Sequence, residues 1–183
     1  MTATTLDAKT ALVVIDLQKG ILELPIIHSG EEIVAKAAEL SEAFRAKDLP
    51  VVLVRVTGGA PGRTDAGHGG GRPPADLADL VPGLGRQDSD IVVTKQQWGA
   101  FYGTDLDLQL RRRGVTQIVL LGVATSIGVE STARFAHEYG YNVTVVTDAI
   151  SDMDAGSHAN SVEKIFPRLG ETATTAEIIK LLG

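Results

Sequence analysis

Five short runs of β-branched and aliphatic residues recur along the chain, at 11–15, 51–56, 91–94, 117–121 and 142–146, and amphipathic stretches separate them. Runs of that length with little polar alternation predict strands buried on both faces. Strands parted by helices cannot pair as hairpins, so the economical topology is α/β, with a central, mainly parallel sheet and right-handed crossovers. The intervening segments supply the helices. One starts at Ser29, where Glu32 completes a capping box and Ile33, Ala37, Leu40 and Phe44 turn inward. Another follows Thr104 and stops at Arg113-Gly114, and further helices are expected over 128–139, 155–166 and 174–182, the last with a Thr174/Glu177 box.

A chain of 183 residues suits one domain, 1–183, which can bury roughly 70% of its unfolded surface without staples. Its net charge of −6 comes from acids scattered along the sequence, which argues against a nucleic-acid partner. The basic run Arg111-Arg112-Arg113 falls at a helix end, where cations complement the C-terminal carbonyls. No apolar stretch approaches the roughly 20 residues that span a bilayer. The first ten residues also lack a signal-peptide pattern, so a cytoplasmic protein without a membrane partner is expected. The sequence contains no cysteine, which removes disulfides, zinc–thiolate sites and any thiol nucleophile.

Ligands in open parallel sheets sit beyond the carboxyl ends of the strands. There, Val13-Val-Ile-Asp-Leu-Gln18 places Asp16 at the close of an apolar run, and Val93-Thr-Lys-Gln-Gln-Trp-Gly-Ala-Phe101 places Lys95 likewise. The fourth run delivers the strand-to-helix turn Ala124-Thr-Ser-Ile-Gly128, whose backbone N–H groups, those of Ala124 and Thr125 among them, are a candidate oxyanion cradle. An acid and an ammonium meeting at one sheet edge perturb each other's pKa and suit proton transfer, although a structural ion pair has the same signature. Residues 58–74 are crowded with Gly and Pro and carry Arg63, Asp65, His68 and Arg72, which reads as a lid or an irregular excursion. Within it, Arg63 is the candidate grip for a substrate carboxylate, with a solvated loop arginine as the alternative. Trp98 and Phe101 are candidate pocket walls, with core packing as the alternative.

Val14-Ile-Asp-Leu-Gln18, Thr94-Lys95, Trp98-Gly-Ala-Phe101, Gly103-Thr-Asp-Leu106 and Gly122-Val-Ala-Thr-Ser-Ile-Gly-Val129, in this order and spacing, resemble the isochorismatase-like hydrolase family. The likeness runs from about Ala11 to Leu182 and takes in residues 142–149. It implies a three-layer α/β/α, Rossmann-like fold. It also implies a site in which Asp16 takes the aspartate position, Lys95 the lysine position and Gly128 the position held by a nucleophilic cysteine in amidase members. The resemblance further implies a non-proline cis peptide at Val123–Ala124 and a homo-oligomer, a dimer or larger.

Without sulfur, the covalent amidase route is closed at Gly128. Ser126 is read as a helix cap and not as a substitute nucleophile. The isochorismatase branch resembles this chain in placing glycine there, and its chemistry begins with protonation of a vinyl ether, a task for a protonated Asp16. The turn is nearer the amidase style, so a related hydrolase of a small, anionic molecule is expected, and not isochorismate itself. A catalytically silent small-molecule binding protein is the competing reading. Nicotinamidases in the family hold a divalent ion through an Asp-x-His pair. Asp65 and His68 are spaced differently, so neither a metal nor another cofactor is expected. His28, His137 and His158 are read as surface or partly packed histidines.

Overall fold

The computed structural model describes residues 3–65 and 74–183. Its centre is a six-stranded, fully parallel sheet built from β1 (Thr10–Ile15), β2 (Val51–Val56), β3 (Ile91–Lys95), β4 (Gln117–Val123), β5 (Asn142–Ser151) and β6 (Glu171–Ala173). The strands lie in the order β3-β2-β1-β4-β5-β6, so the direction of winding reverses between β1 and β4. Every residue of β1 and β4 is buried, which is why these two runs carry no alternation in the sequence.

Helices fill the crossovers: α1 (Lys19–Leu22), α2 (Gly30–Arg45), α3 (Leu106–Arg112), α4 (Glu130–Glu138), α5 (Ala155–Asn160), α6 (Phe166–Leu169) and α7 (Thr175–Leu182). The long α2 packs on β1, β2, β4, β5 and α7, whereas α4 packs on β5 and α6. Right-handed crossovers running in opposite directions from the reversal put these two groups on opposite faces. The expected inward residues of α2, Ile33, Ala37, Leu40 and Phe44, are all buried. Ser29 accepts from the Glu32 N–H at 3.3 Å, but only the Thr174/Glu177 cap of α7 is a complete reciprocal box.

Three features depart from the sequence reading. The edge strand β6 has only three residues, Glu-Thr-Ala, and no apolar run to announce it. Strand β5 continues past Val146 through Thr147 and Asp148 to Ser151, and its register against β4 shifts between Leu120 and Gly122. The helix expected from Gly128 is preceded by a widened turn over Thr125–Val129, in which the Val129 N–H donates to the Ala124 carbonyl at 3.1 Å.

Gly122 sets the spacing at the reversal. Its φ is 122°, and a Cβ there would lie 2.1 Å from the Ile15 carbonyl oxygen. Since that obstacle is backbone, Gly122→Ala is expected to cost about 2–3 kcal/mol in denaturant unfolding. A loss under about 0.5 kcal/mol would show that β1 and β4 can separate freely.

Candidate active site

Asp16 is the first residue beyond β1, at the point where the winding reverses and open sheets leave a crevice. Its backbone turns sharply out of the strand, with φ at 52°, a left-handed conformation that aspartate tolerates better than most residues. The Asp16 N–H donates to Val54 O at 3.0 Å and its carbonyl accepts from Gln18 N at 2.9 Å, so both neighbours of the turn are anchored. The buried Gln18 side chain closes the arrangement by donating to Val56 O and Leu77 O and accepting from Val56 N.

Lys95 arrives at the end of β3, two strands away, and its ammonium donates to Asp16 Oδ2 at 2.6 Å and to Gln97 O at 3.1 Å. Both side chains are almost wholly buried, 2% exposed for Lys95 and 6% for Asp16. Asp16 Oδ1 is buried with no hydrogen-bond partner among the described residues. Burial pushes the Asp16 carboxyl up to about 6, against the opposing pull of the Lys95 charge and hydrogen bond.

The turn after β4 forms the facing wall. Its Val123–Ala124 peptide is cis. A methyl group built on Gly128 would lie 3.0 Å from Ile15 Cγ2, 3.3 Å from Asp16 Oδ2 and 3.6 Å from Trp98 O, so a side chain at 128 projects toward the carboxylate. Thr132, buried on α4, ties the two walls together: its hydroxyl donates to Gly128 O at 2.7 Å and accepts from Ala100 N at 3.1 Å. Gln97 stitches the loop after β3 by donating to Gly99 O at 3.2 Å and also to Tyr102 O.

Asp152, Thr132 and Gln97 were missed as site-building residues. Asp152 carried a usable signal, since it stands just beyond β5 in the same place that drew attention to Asp16. Its Oδ2 accepts from the Ser126 N–H at 2.6 Å, while Oδ1 accepts from Met153 N at 2.8 Å. This narrows the expected cradle: Ser126 N–H is taken by Asp152, and the N–H groups of Ile127 and Val129 both bond to Ala124 O.

Several sequence candidates fall elsewhere. Thr125 is buried, and its hydroxyl engages Ser151 O at 3.0 Å and His158 Nδ1 at 2.9 Å, so that side chain braces the turn and is not presented to a ligand. His158 in turn sits edge-on to His28, with ring centroids 5.0 Å apart, and its pKa is lowered by burial and by His28. Phe101 is a core residue, 4% exposed, packed edge-on to Tyr139 and stacked on Tyr141, in keeping with the core-packing alternative. Arg63 is exposed on the irregular segment after β2 and makes no hydrogen bond or ion pair with Asp16 or Lys95. Ala124 is buried and contributes backbone only. Trp98 is 64% exposed and lines an open cleft with Ser126 and Ile127. Ser126 caps neither the turn nor α4, whose N-cap positions are held by Ala124 and Val129. His68 and Arg72 lie outside the described residues. Among those described, no group of three or more His, Asp or Glu side chains is placed to hold a metal ion, and no helix is long and apolar enough to cross a membrane.

The chain matches the Isochorismatase domain family over residues 10–177. It is 50% identical over 179 residues to the isochorismatase family protein YwoC of Bacillus subtilis, covering 94% of this chain and 93% of that one. A solved isochorismatase family structure from Burkholderia thailandensis superposes with a TM-score of 0.94 at 49% identity, covering 97% of both chains. More distant is the ureidoacrylate amidohydrolase RutB of Stutzerimonas stutzeri, 30% identical over 173 residues, 78% of this chain and 69% of that protein. The doubly wound sheet and these matches agree: the chain belongs to the isochorismatase family of hydrolases.

Proposed function

We propose that this protein hydrolyses a small molecule by acid catalysis at Asp16, without a covalent intermediate, and that a vinyl ether is the bond type it suits. The observation that carries this reading is the lone Asp16 Oδ1: its twin oxygen is held by Lys95, and Oδ1 is buried with no partner among the described residues. Leaving such an atom unsatisfied is costly in a folded protein, and a substrate that accepts its proton removes the cost. With the pKa pushed up to about 6, a usable fraction of the carboxyl is protonated near neutral pH.

On this reading Asp16 delivers its proton to the terminal alkene carbon, and the ether oxygen supplies the electron pair that forms an oxocarbenium ion. Water adds to the oxocarbenium carbon, the one bonded to the ether oxygen, and returns a proton to the carboxylate. The resulting hemiketal then collapses to a carbonyl compound and an alcohol. Lys95 keeps Oδ2 occupied, so the proton is carried on Oδ1, and once it has left, the carboxylate offsets the positive charge of the neighbouring oxocarbenium. By the resemblance Gly128 takes the position of the amidase thiol, and with no cysteine in the chain a thiol-dependent amide hydrolysis lacks its nucleophile here.

Turnover of vinyl ethers but not of small amides is the expected result of a substrate screen, and the reverse preference would remove the reading. The near-complete burial of both charges favours one alternative, a binding protein with silent chemistry. That reading prevails if no substrate class turns over while a small ligand raises the thermal midpoint.

Gly128→Cys supplies a further check, since it creates the sole thiol of the chain. Ile15 must yield a few tenths of an ångström, after which the sulfur sits beside a carboxylate able to take its proton. Alkylation by iodoacetamide at pH 7 is expected to run about tenfold faster than in the double variant carrying Asp16→Asn. Equal rates would separate position 128 from Asp16.

A further inference from the structure

Outside the buried pair, against the same turn, lies an open cleft of about 550 Å³ whose lining includes Trp98, Ser126, Ile127, Glu130, Asp154 and Asn160. Its wall chemistry is one-sided. The indole of Trp98 is 64% exposed, two carboxylates and several neutral hydrogen-bonding side chains line the cleft with it, and no Lys or Arg is among the described lining residues. Glu130 is paired with Arg134 at 2.9 Å and accepts from Ser161 at 2.6 Å, while Asp154 caps α5 through Ser157 N at 2.7 Å. One arginine therefore offsets one of the two acids, and the buried Asp152 behind Ser126 adds a third acid to that side. The imidazole of His158, on α5, is held toward its neutral form by burial and by His28.

We infer that this cleft binds an organic cation, a small alkylammonium group laid over the Trp98 indole and facing Asp154 and Glu130. An exposed indole face attracts a poorly hydrated cation, and the carboxylates repel an anion from the same space. Resting on the hydrolase reading above, the cleft then receives a cationic end of the substrate, reversing the anionic character expected from the sequence. The turn that carries Gly128 also supplies Ser126 and Ile127 to the cleft, so one molecule could reach both.

Trp98 is the only tryptophan, so intrinsic emission reports this site alone. Choline, its neutral carbon isostere 3,3-dimethylbutan-1-ol and the anion 3,3-dimethylbutanoate are matched probes that differ in charge. Choline is expected to shift the emission to shorter wavelength with saturation in a roughly millimolar range, about two- to fivefold tighter than the neutral isostere. The anion is expected to leave the emission unchanged. Asp154→Asn keeps a good helix cap but removes a charge, and is expected to weaken choline by a similar factor with an unaltered thermal midpoint. Equal binding of choline and its isostere, binding of the anion, absence of saturation, or indifference to Asp154→Asn would each overturn the inference. None of these readings needs turnover. Asp16→Asn is expected to bind choline normally, so failure of the cleft and failure of the chemistry are separate results.

Discussion

Asp16→Asn is expected to slow vinyl ether hydrolysis by about 10²- to 10⁴-fold, the usual share of a positioned general acid. Asparagine tolerates the left-handed backbone that Asp16 adopts and can still accept from Lys95, so the change removes the proton and little else. The pH profile of the wild type follows from the direction of the shift. A carboxyl raised to about 6 is protonated below that pH, so the rate should be level in acid and fall tenfold per pH unit above about 6. The residual rate of Asp16→Asn should lack that bend. A variant that keeps more than a tenth of the wild-type rate, or an unchanged profile, would assign the chemistry to another group.

Lys95→Met is expected to have the largest effect on stability. Among the described residues the ammonium is the sole partner of a carboxylate that is 6% exposed, and removing one member of a buried pair costs about 3–5 kcal/mol, because the other is left charged and unpaired. The loss depends on pH. In the wild type, Asp16 binds its proton more tightly folded than unfolded, so its contribution favours the native state in acid and is lost as pH rises from about 4 through about 6. Lys95 opposes that rise, so without it the folded pKa moves higher still and the native state goes on losing stability above pH 6. Denaturant unfolding at pH 5 and pH 8 should give a small difference from wild type at the lower pH and the full difference at the higher. An equal loss at both would show that Lys95 acts through packing and not through charge.

The sequence made Asp16 and Lys95 legible because each interrupts the carboxyl end of an apolar run, where a charge has no packing role. Burial patterns in β1 and β4 were legible for the same reason: strands covered on both faces show no alternation. Phe101 was ambiguous because its partners Tyr139 and Tyr141 flank Gly140 at the end of the following crossover, and only the folded chain brings those rings together. Thr125 and Thr132 look alike as polar residues near a helix start. One braces the turn against β5, and the other ties the turn to the loop after β3. Distances of that kind depend on where the reversal in strand order falls, which periodicity does not encode. β6 was invisible because three residues at a sheet edge need no hydrophobic run.

Acid catalysis at Asp16 requires that one carboxyl group be protonated near neutral pH. A ¹³C NMR titration of the Asp16 Cγ resonance, assigned by comparison with Asp16→Asn, should give a midpoint near 6 in the wild type and a higher one in Lys95→Met. A midpoint at or below the ordinary 3.8 of an aspartate would leave no acid at neutral pH and contradict the mechanism outright.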